Sequence, residues 1–206
     1  MIDWLRAQQP VAADVTADVS ESDADLIARA RVDRAAFGVL FDRHAESVYR
    51  YCYRRLGDRN AAEDATSQVF TRAMLALPGY RERRGSSFVA WLFAIAHNVA
   101  TDATRRDRRH APLDAAAGEM DTGPTVEEAV LGAEEARSVR ALLLALPPDQ
   151  RRAMELRLAG LTGPEIADVL GRSHRAVKML QFRAIGTLRS LLGVPSARTK
   201  SEDDQP

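Results

Sequence analysis

Apolar residues recur at three- and four-residue spacing along nearly the whole chain, and no Val/Ile/Thr-rich stretch alternates residue by residue between hairpin turns. The period is that of the α-helix, so the fold class predicted is all-α. Phe37, Leu40, Phe41, His44, Ala45, Val48 and Cys52 form one stripe, opened by Asp33 as N-cap and closed by Gly57. A second helix is expected from Asn60 to about Leu77, where Pro78 stops it, because Asn60 and Glu63 have the spacing of a capping box. A third starts after Ser86 or Ser87 and runs through Trp91, Ile95 and Val99 to about Arg108, with Phe88, Trp91 and Ile95 assigned to packing. A short helix over about 23–31 is expected to pack against this group.

Residues 111–125 carry no period and contain Pro, Gly and acid, which marks a flexible linker between two small helical domains. Thr125 and Glu128 restart helix, which continues through Leu143 and Leu146 to the Pro147-Pro148 break, and further helices are expected at about 149–159, 163–170 and 173–191. The chain thus divides into a disordered segment over 1–22, a first module over 23–110, an acidic linker over 111–125, a second module over 126–193 and a disordered tail over 194–206.

Composition adds limits. The 206 residues suffice for one domain or two small ones. The longest apolar run, Phe88 to Ala96, is too short for a membrane span, and Asp3 and Arg6 sit where a secretion signal would be basic and then apolar. Cys52 is the single cysteine, so neither an internal disulfide nor a multi-cysteine metal site can form. These features fit a cytoplasmic protein without membrane insertion. No glycine-rich phosphate loop, metal-ligand cluster or nucleophile-base motif is present, and the expectation is a non-enzyme with no cofactor, no metal and no catalytic residue.

Charge changes the picture. The totals cancel, 29 Lys+Arg against 29 Asp+Glu, which taken alone argues against a nucleic-acid partner. The charges are nevertheless sorted along the chain. Residues 1–29 hold six acids and two bases, 81–110 seven arginines and three acids, 111–136 seven acids and no base, and 169–201 seven bases and no acid. Two basic blocks separated by an acidic one are the footprint of nucleic-acid binding.

The run from Leu161 to Ala184 explains the second block. Thr162 and Glu165 form a capping box, Pro164 lies in the first turn, and Ile166, Ala167 and Leu170 give a short helix its core face. Gly171 supplies the turn and Ser173 caps the next helix, in which Val177, Leu180, Ala184 and Leu188 face inward. This is a helix-turn-helix pattern, and its second helix offers Arg175, Lys178 and Arg183 outward with His174, Met179 and Phe182 nearby. Arginine and lysine reach guanine edges or phosphates, while Met or Phe touches a thymine methyl.

The segment 146–157 (Leu-Pro-Pro-Asp-Gln-Arg-Arg-Ala-Met-Glu-Leu-Arg) directly before that motif makes the second module resemble region four of bacterial sigma factors, which reads the minus-thirty-five promoter element. In the first module, Asp42–Tyr51, Ala62–Ala73 and Phe88–Asp102 followed by Arg105-Arg106 resemble region two of the extracytoplasmic-function group of the sigma-70 family. The resemblance covers about residues 24–192 and implies a promoter-specificity subunit whose partners are core RNA polymerase, promoter DNA and an anti-sigma protein, with no obligate homo-oligomer. It implies a polymerase-gripping surface around Asp64 and Gln68, where the family's frequent Gln-Glu pair is here Ser67-Gln68, one charge fewer. It places His97 and Asn98 near a flipped base of the minus-ten element, an asparagine amide being able to donate and accept at once. Arg105 and Arg106 continue this surface toward phosphates. His174, Arg175, Lys178, Met179, Phe182 and Arg183 fall on minus-thirty-five contacts. The acidic linker is expected to run toward the RNA path of the polymerase. A stand-alone helix-turn-helix regulator would leave the first module's motifs unexplained; a helical interaction protein with basic faces would require neither Asn98 nor Lys178.

Overall fold

The computed structural model describes residues 21–81, 87–110 and 137–193, with side chains in the first module described as far as Arg106. The first module contains α1 (Asp23–Ala30), α2 (Arg34–Leu56), α3 (Arg59–Ala76), a 3-10 turn (Leu77–Gly79) and α4 (Phe88–His110). The second contains α5, described over 137–144, then α6 (Pro148–Leu158), α7 (Gly163–Leu170) and α8 (His174–Leu191). No described residue lies in a strand. The expectations for 1–20, for the linker and the helix restart at Thr125, and for the tail from 194 lie outside the described residues.

Helix boundaries follow local chemistry. Ser22 caps α1 by accepting from the Asp25 N–H, and Asp33 caps α2 by accepting from Ala35 N–H at 2.9 Å. Ser87, of the two serines considered, caps α4 through the Ala90 N–H at 3.2 Å. The expected capping box at Asn60 and Glu63 is corrected: α3 starts one residue earlier, at Arg59, and its cap is Asp58, which accepts from Ala61 N–H at 2.7 Å. The reason is the tight connection. Gly57 ends α2 in the left-handed conformation at φ 78°, Asp58 follows in extended backbone, and its carboxylate is already over the new helix end. Glu63 instead pairs with Arg59 at 3.1 Å along the helix.

In the first module α2 packs on α1, α3 and α4, and α3 packs on α4. Leu40, Val48, Tyr51, Val69, Leu92 and Phe93 are fully buried there. His44, on the apolar face of α2, reaches the Asp23 carboxylate at 2.9 Å, tying α1 to α2. Phe88 is buried against Tyr80 and Trp91, while Trp91 and Ile95 are half-buried at its edge. The second module packs α6 and α7 on α8, with a small separate cluster of Leu143, Leu146 and Ala184.

The two modules touch. Helix α7 lies on α4 and α6 lies on α2, and Leu156, Leu161, Ile166, Ala167 and Val177 belong to the same continuous apolar cluster as the first module's core. Burial on this scale supplies the attraction, because each fully buried aliphatic side chain is worth about 1.5–3 kcal/mol.

Candidate nucleic-acid interface and the seam between the modules

The helix-turn-helix is built as its residues predict. Thr162 caps α7, the Glu165 carboxylate returns a contact to the Thr162 N–H at 2.8 Å, and the turn is made by Gly171 at φ 61°. A Cβ at Gly171 would meet nothing within 4 Å, so glycine is needed there for backbone conformation rather than for space. Ser173 then caps α8 through Ala176 N–H at 3.2 Å. Val177 and Ala184 are buried and Leu180 and Leu188 half-buried, which turns Arg175, Lys178, Met179, Phe182 and Arg183 to the solvent on one face. Phe182 is 73% exposed, an uncommon position for a large aromatic ring. His174 stands apart from that stripe. A Cβ built on Gly163 would lie 2.6 Å from its Nε2, so the ring covers the start of α7 and lines a groove with Met154, Lys178 and Gln181.

In the first module Asn98 is exposed on α4, and Asp102 and Arg105 follow at four and seven residues on the same face, with Arg106 exposed beside them. His97 is half-buried and its Nδ1 lies 3.1 Å from the Tyr51 hydroxyl. Burial, with the Arg55 and Arg152 cations nearby, pushes the imidazole down to about 4 from its ordinary value, so it is neutral at pH 7. Burial also keeps the Tyr51 hydroxyl protonated, so a neutral phenol and a neutral imidazole share this hydrogen bond. His97 thereby holds α4 to α2, and Asn98 is the freer of the two.

On α3, Asp64 and Gln68 are exposed one turn apart. Leu75 continues their line and is 72% exposed, a residue overlooked in the pattern although it falls outside the register of the buried Ala62, Ala65, Val69, Phe70 and Ala73.

The seam between the modules is polar at two points that hydrophobic periodicity does not mark. Glu155 of α6 is 1% exposed and accepts from Arg55 of α2 at 3.2 Å, while Arg55 also approaches the Thr101 hydroxyl at 3.5 Å. Burial raises the Glu155 carboxyl, and the Arg55, Arg151 and Arg54 cations oppose that rise. At the second point the Ser87 hydroxyl donates to Oε1 of Glu165, the residue that also closes the capping box. Burial would raise the Glu165 carboxyl, but hydrogen bonds from Ser87 and Thr162 hold it below the usual range. Between these points a cleft of about 410 Å³ has His97 and Asn98 on one wall, and Asp149, Arg152 and the end of α7 from Asp168 to Arg172 on the other. Sequence patterning could not pair residues 78 to 100 positions apart, because neither Ser nor Arg advertises a distant partner.

Among the described residues no group of three or more His, Cys, Asp or Glu side chains could hold a metal ion, and no helix is long and apolar enough to cross a membrane.

Comparison with known proteins matches residues 40–110 to Sigma-70 region 2 and residues 136–188 to Sigma-70 region 4. The chain is 40% identical over 177 residues to the ECF RNA polymerase sigma factor BldN of Streptomyces coelicolor, covering 82% of this chain and 65% of that one, so it spans just under two thirds of that relative's length. It is 37% identical over 153 residues to the ECF RNA polymerase sigma factor ShbA of Streptomyces griseus, covering 69% of this chain and 80% of that protein. Among solved structures, CnrH in complex with the cytosolic domain of CnrY aligns at 27% identity with a TM-score of 0.64, over 85% of this chain and all of that one. The sigma factor RpoE of Bartonella quintana, solved with the anti-sigma factor NepR, shares the fold at 20% identity and a TM-score of 0.58, covering 77% of this chain and 97% of that one. With a helix-turn-helix that turns its cations outward, an exposed asparagine on α4 and both matched regions in order, the chain belongs to the extracytoplasmic-function (ECF) sigma factors of RNA polymerase.

Proposed function

We propose that this chain binds core RNA polymerase, directs it to promoters by reading the minus-ten and minus-thirty-five elements, and promotes opening of the duplex, with no catalysis of its own. The observation that carries it is the outward stripe of α8, where Arg175, Lys178 and Arg183 flank the exposed Met179 and Phe182. Cations for phosphate and guanine beside apolar side chains for thymine methyl groups suit a helix lying in the major groove. His174, turned against Gly163, is given the lesser role of fixing the helix entry. Asn98 takes the unpaired minus-ten base, His97 holds its helix in place through Tyr51, and Arg105 and Arg106 neutralise phosphates. Asp64, Gln68 and Leu75 form one exposed face of α3 that fits the polymerase contact. The protein acts in the cytoplasm. Control by an anti-sigma protein belongs to this reading, supported by the solution of CnrH together with the cytosolic domain of another protein.

Run-off transcription with core polymerase over a library of promoters tests the proposal. Factor-dependent start sites are expected, with Asn98→Ala and Lys178→Glu each lowering their yield by about 5- to 150-fold, in keeping with about 1–3 kcal/mol for one lost base contact. A mixture that starts nowhere new, or variants that transcribe like the parent, would overturn it.

A further inference from the structure

We propose that Asp102 is a further specificity-determining residue of the minus-ten surface: its carboxylate accepts a hydrogen bond from the exocyclic amine of a paired cytosine one or two places from the unpaired base held by Asn98. The inference rests on the promoter-reading function above and deepens it by naming a base.

The polar side chains of α4 around Asn98 divide into two sets. His97 meets the Tyr51 hydroxyl at 3.1 Å, the Thr101 hydroxyl lies 3.5 Å from the Arg55 guanidinium, and the Thr104 hydroxyl donates to the Ala100 carbonyl at 2.8 Å, so these three are engaged within the protein. Asn98, Asp102, Arg105 and Arg106 are exposed and have no hydrogen bond or ion pair among the described residues. Three of those four suit DNA directly, an amide for a base and two guanidiniums for phosphates. The fourth does not. A carboxylate on a phosphate-binding face repels the backbone, and that penalty is offset only where it finds a donor on a base.

Nothing local accounts for Asp102. It stands well inside the 23 residues of α4, too far from either end to cap the helix or act on its dipole. Aspartate is also among the weaker helix formers. Arg105 and Arg106 follow at three and four residues, the spacing of an intrahelical ion pair, yet neither closes on it. The carboxylate is left facing outward, and it is not among the residues that line the cleft beside Asn98.

Position along the helix selects the base. Side chains four residues apart on one face have Cβ atoms about 5–6 Å apart and successive bases of a strand are about 3.4 Å apart, so Asp102 falls one or two nucleotides from the base at Asn98. The two adjacent cations just beyond it suit the dense charge of a duplex better than that of a single strand, which sets Asp102 against a pair still closed and showing its major-groove edge. On that edge guanine presents only acceptors, thymine an acceptor and a methyl group, and adenine an amine beside its N7 acceptor. Cytosine alone offers an amine with no acceptor next to it.

Run-off transcription with core polymerase tests this on promoters that carry each base pair in turn at the positions flanking the one relaxed by Asn98→Ala. The parent should favour cytosine at one flanking position by about 5- to 150-fold, the span of a single base contact. Asp102→Ala should lose that preference while its thermal melt stays that of the parent or rises. N4-methylcytosine still pairs with guanine but sets its methyl group where the free amine hydrogen pointed; at this position it should lower the parent's yield to that of the other bases and leave Asp102→Ala indifferent. A parent that favours guanine or no base there, a variant that keeps the cytosine preference, or a variant whose yield changes equally on every promoter would overturn the assignment, the last by showing Asp102 to be a solvated acid or a structural one. Start sites from the parent with a flat preference remove only the role of Asp102, whereas no factor-dependent start sites at all remove the promoter-reading function itself.

Discussion

Replacing Arg55 by methionine removes the cation that meets the most deeply buried carboxylate among the described residues. Glu155 is 1% exposed, and Arg55 is itself only 11% exposed, so solvent cannot step in for the lost partner. Stranding a buried charge costs about 3–5 kcal/mol, and the remaining Arg54 and Arg151 hold this case to the lower end, about 3 kcal/mol. Glu155→Leu leaves the Arg55 guanidinium with the Thr101 hydroxyl at 3.5 Å, so the expected loss is about 1–3 kcal/mol. Making both changes replaces the pair with apolar side chains of similar size, for which the expected change lies between no loss and a gain of about 1–4 kcal/mol. The two substitutions are therefore strongly non-additive, with a coupling of about 3 kcal/mol or more. Urea denaturation at pH 7, followed by circular dichroism, reads all four proteins. Because Leu156, Ile166 and Val177 share one cluster with the first module's core, the parent should unfold in a single transition. Losses in the double variant equal to the sum of the singles would refute the reasoning, since the pair would then not be acting as a buried unit.

Three further outcomes follow from the structure. His97 titrates at about 4 in the folded protein against 6.5 unfolded, so its contribution is present above pH 6.5 and is lost as pH falls toward 4; it is worth no more than about 3 kcal/mol. His97→Gln, which keeps an acceptor for Tyr51, should flatten the fall in urea midpoint between pH 7 and 4.5, and an unchanged slope would count against the assignment. Gly171→Ala should cost about 1–2 kcal/mol from left-handed backbone strain alone, while Gly57→Ala, whose Cβ would come within 2.1 Å of the Arg140 guanidinium, should cost more, and Arg140→Ala should recover the excess in thermal melts. Phe182→Ala, at a site 73% exposed, should leave stability within about 0.5 kcal/mol yet lower promoter-dependent transcription severalfold; a large drop in melting temperature would show the ring to be structural.

The sequence by itself determined the helices and the face each one buries, because a 3.6-residue period, Asp33, Thr162 and Ser173 as caps, and Gly57 and Gly171 at the ends are all local. It also determined the outward stripe of α8, since once Val177, Leu180 and Ala184 face inward the cations have only the other side. Even locally one start was misplaced: Asn60 has the right spacing, but Asp58 stands nearer to the end made by Gly57. Tertiary structure alone decided that His97 serves Tyr51 while Asn98 stays open, that His174 folds over Gly163, and that Glu155 and Glu165 reach across to the first module. Periodicity says which side of a helix is apolar, but it carries no information about which distant helix will cover that side. That choice is made by shape and by the few charges that packing traps, and here it brought the two modules together over Asn98.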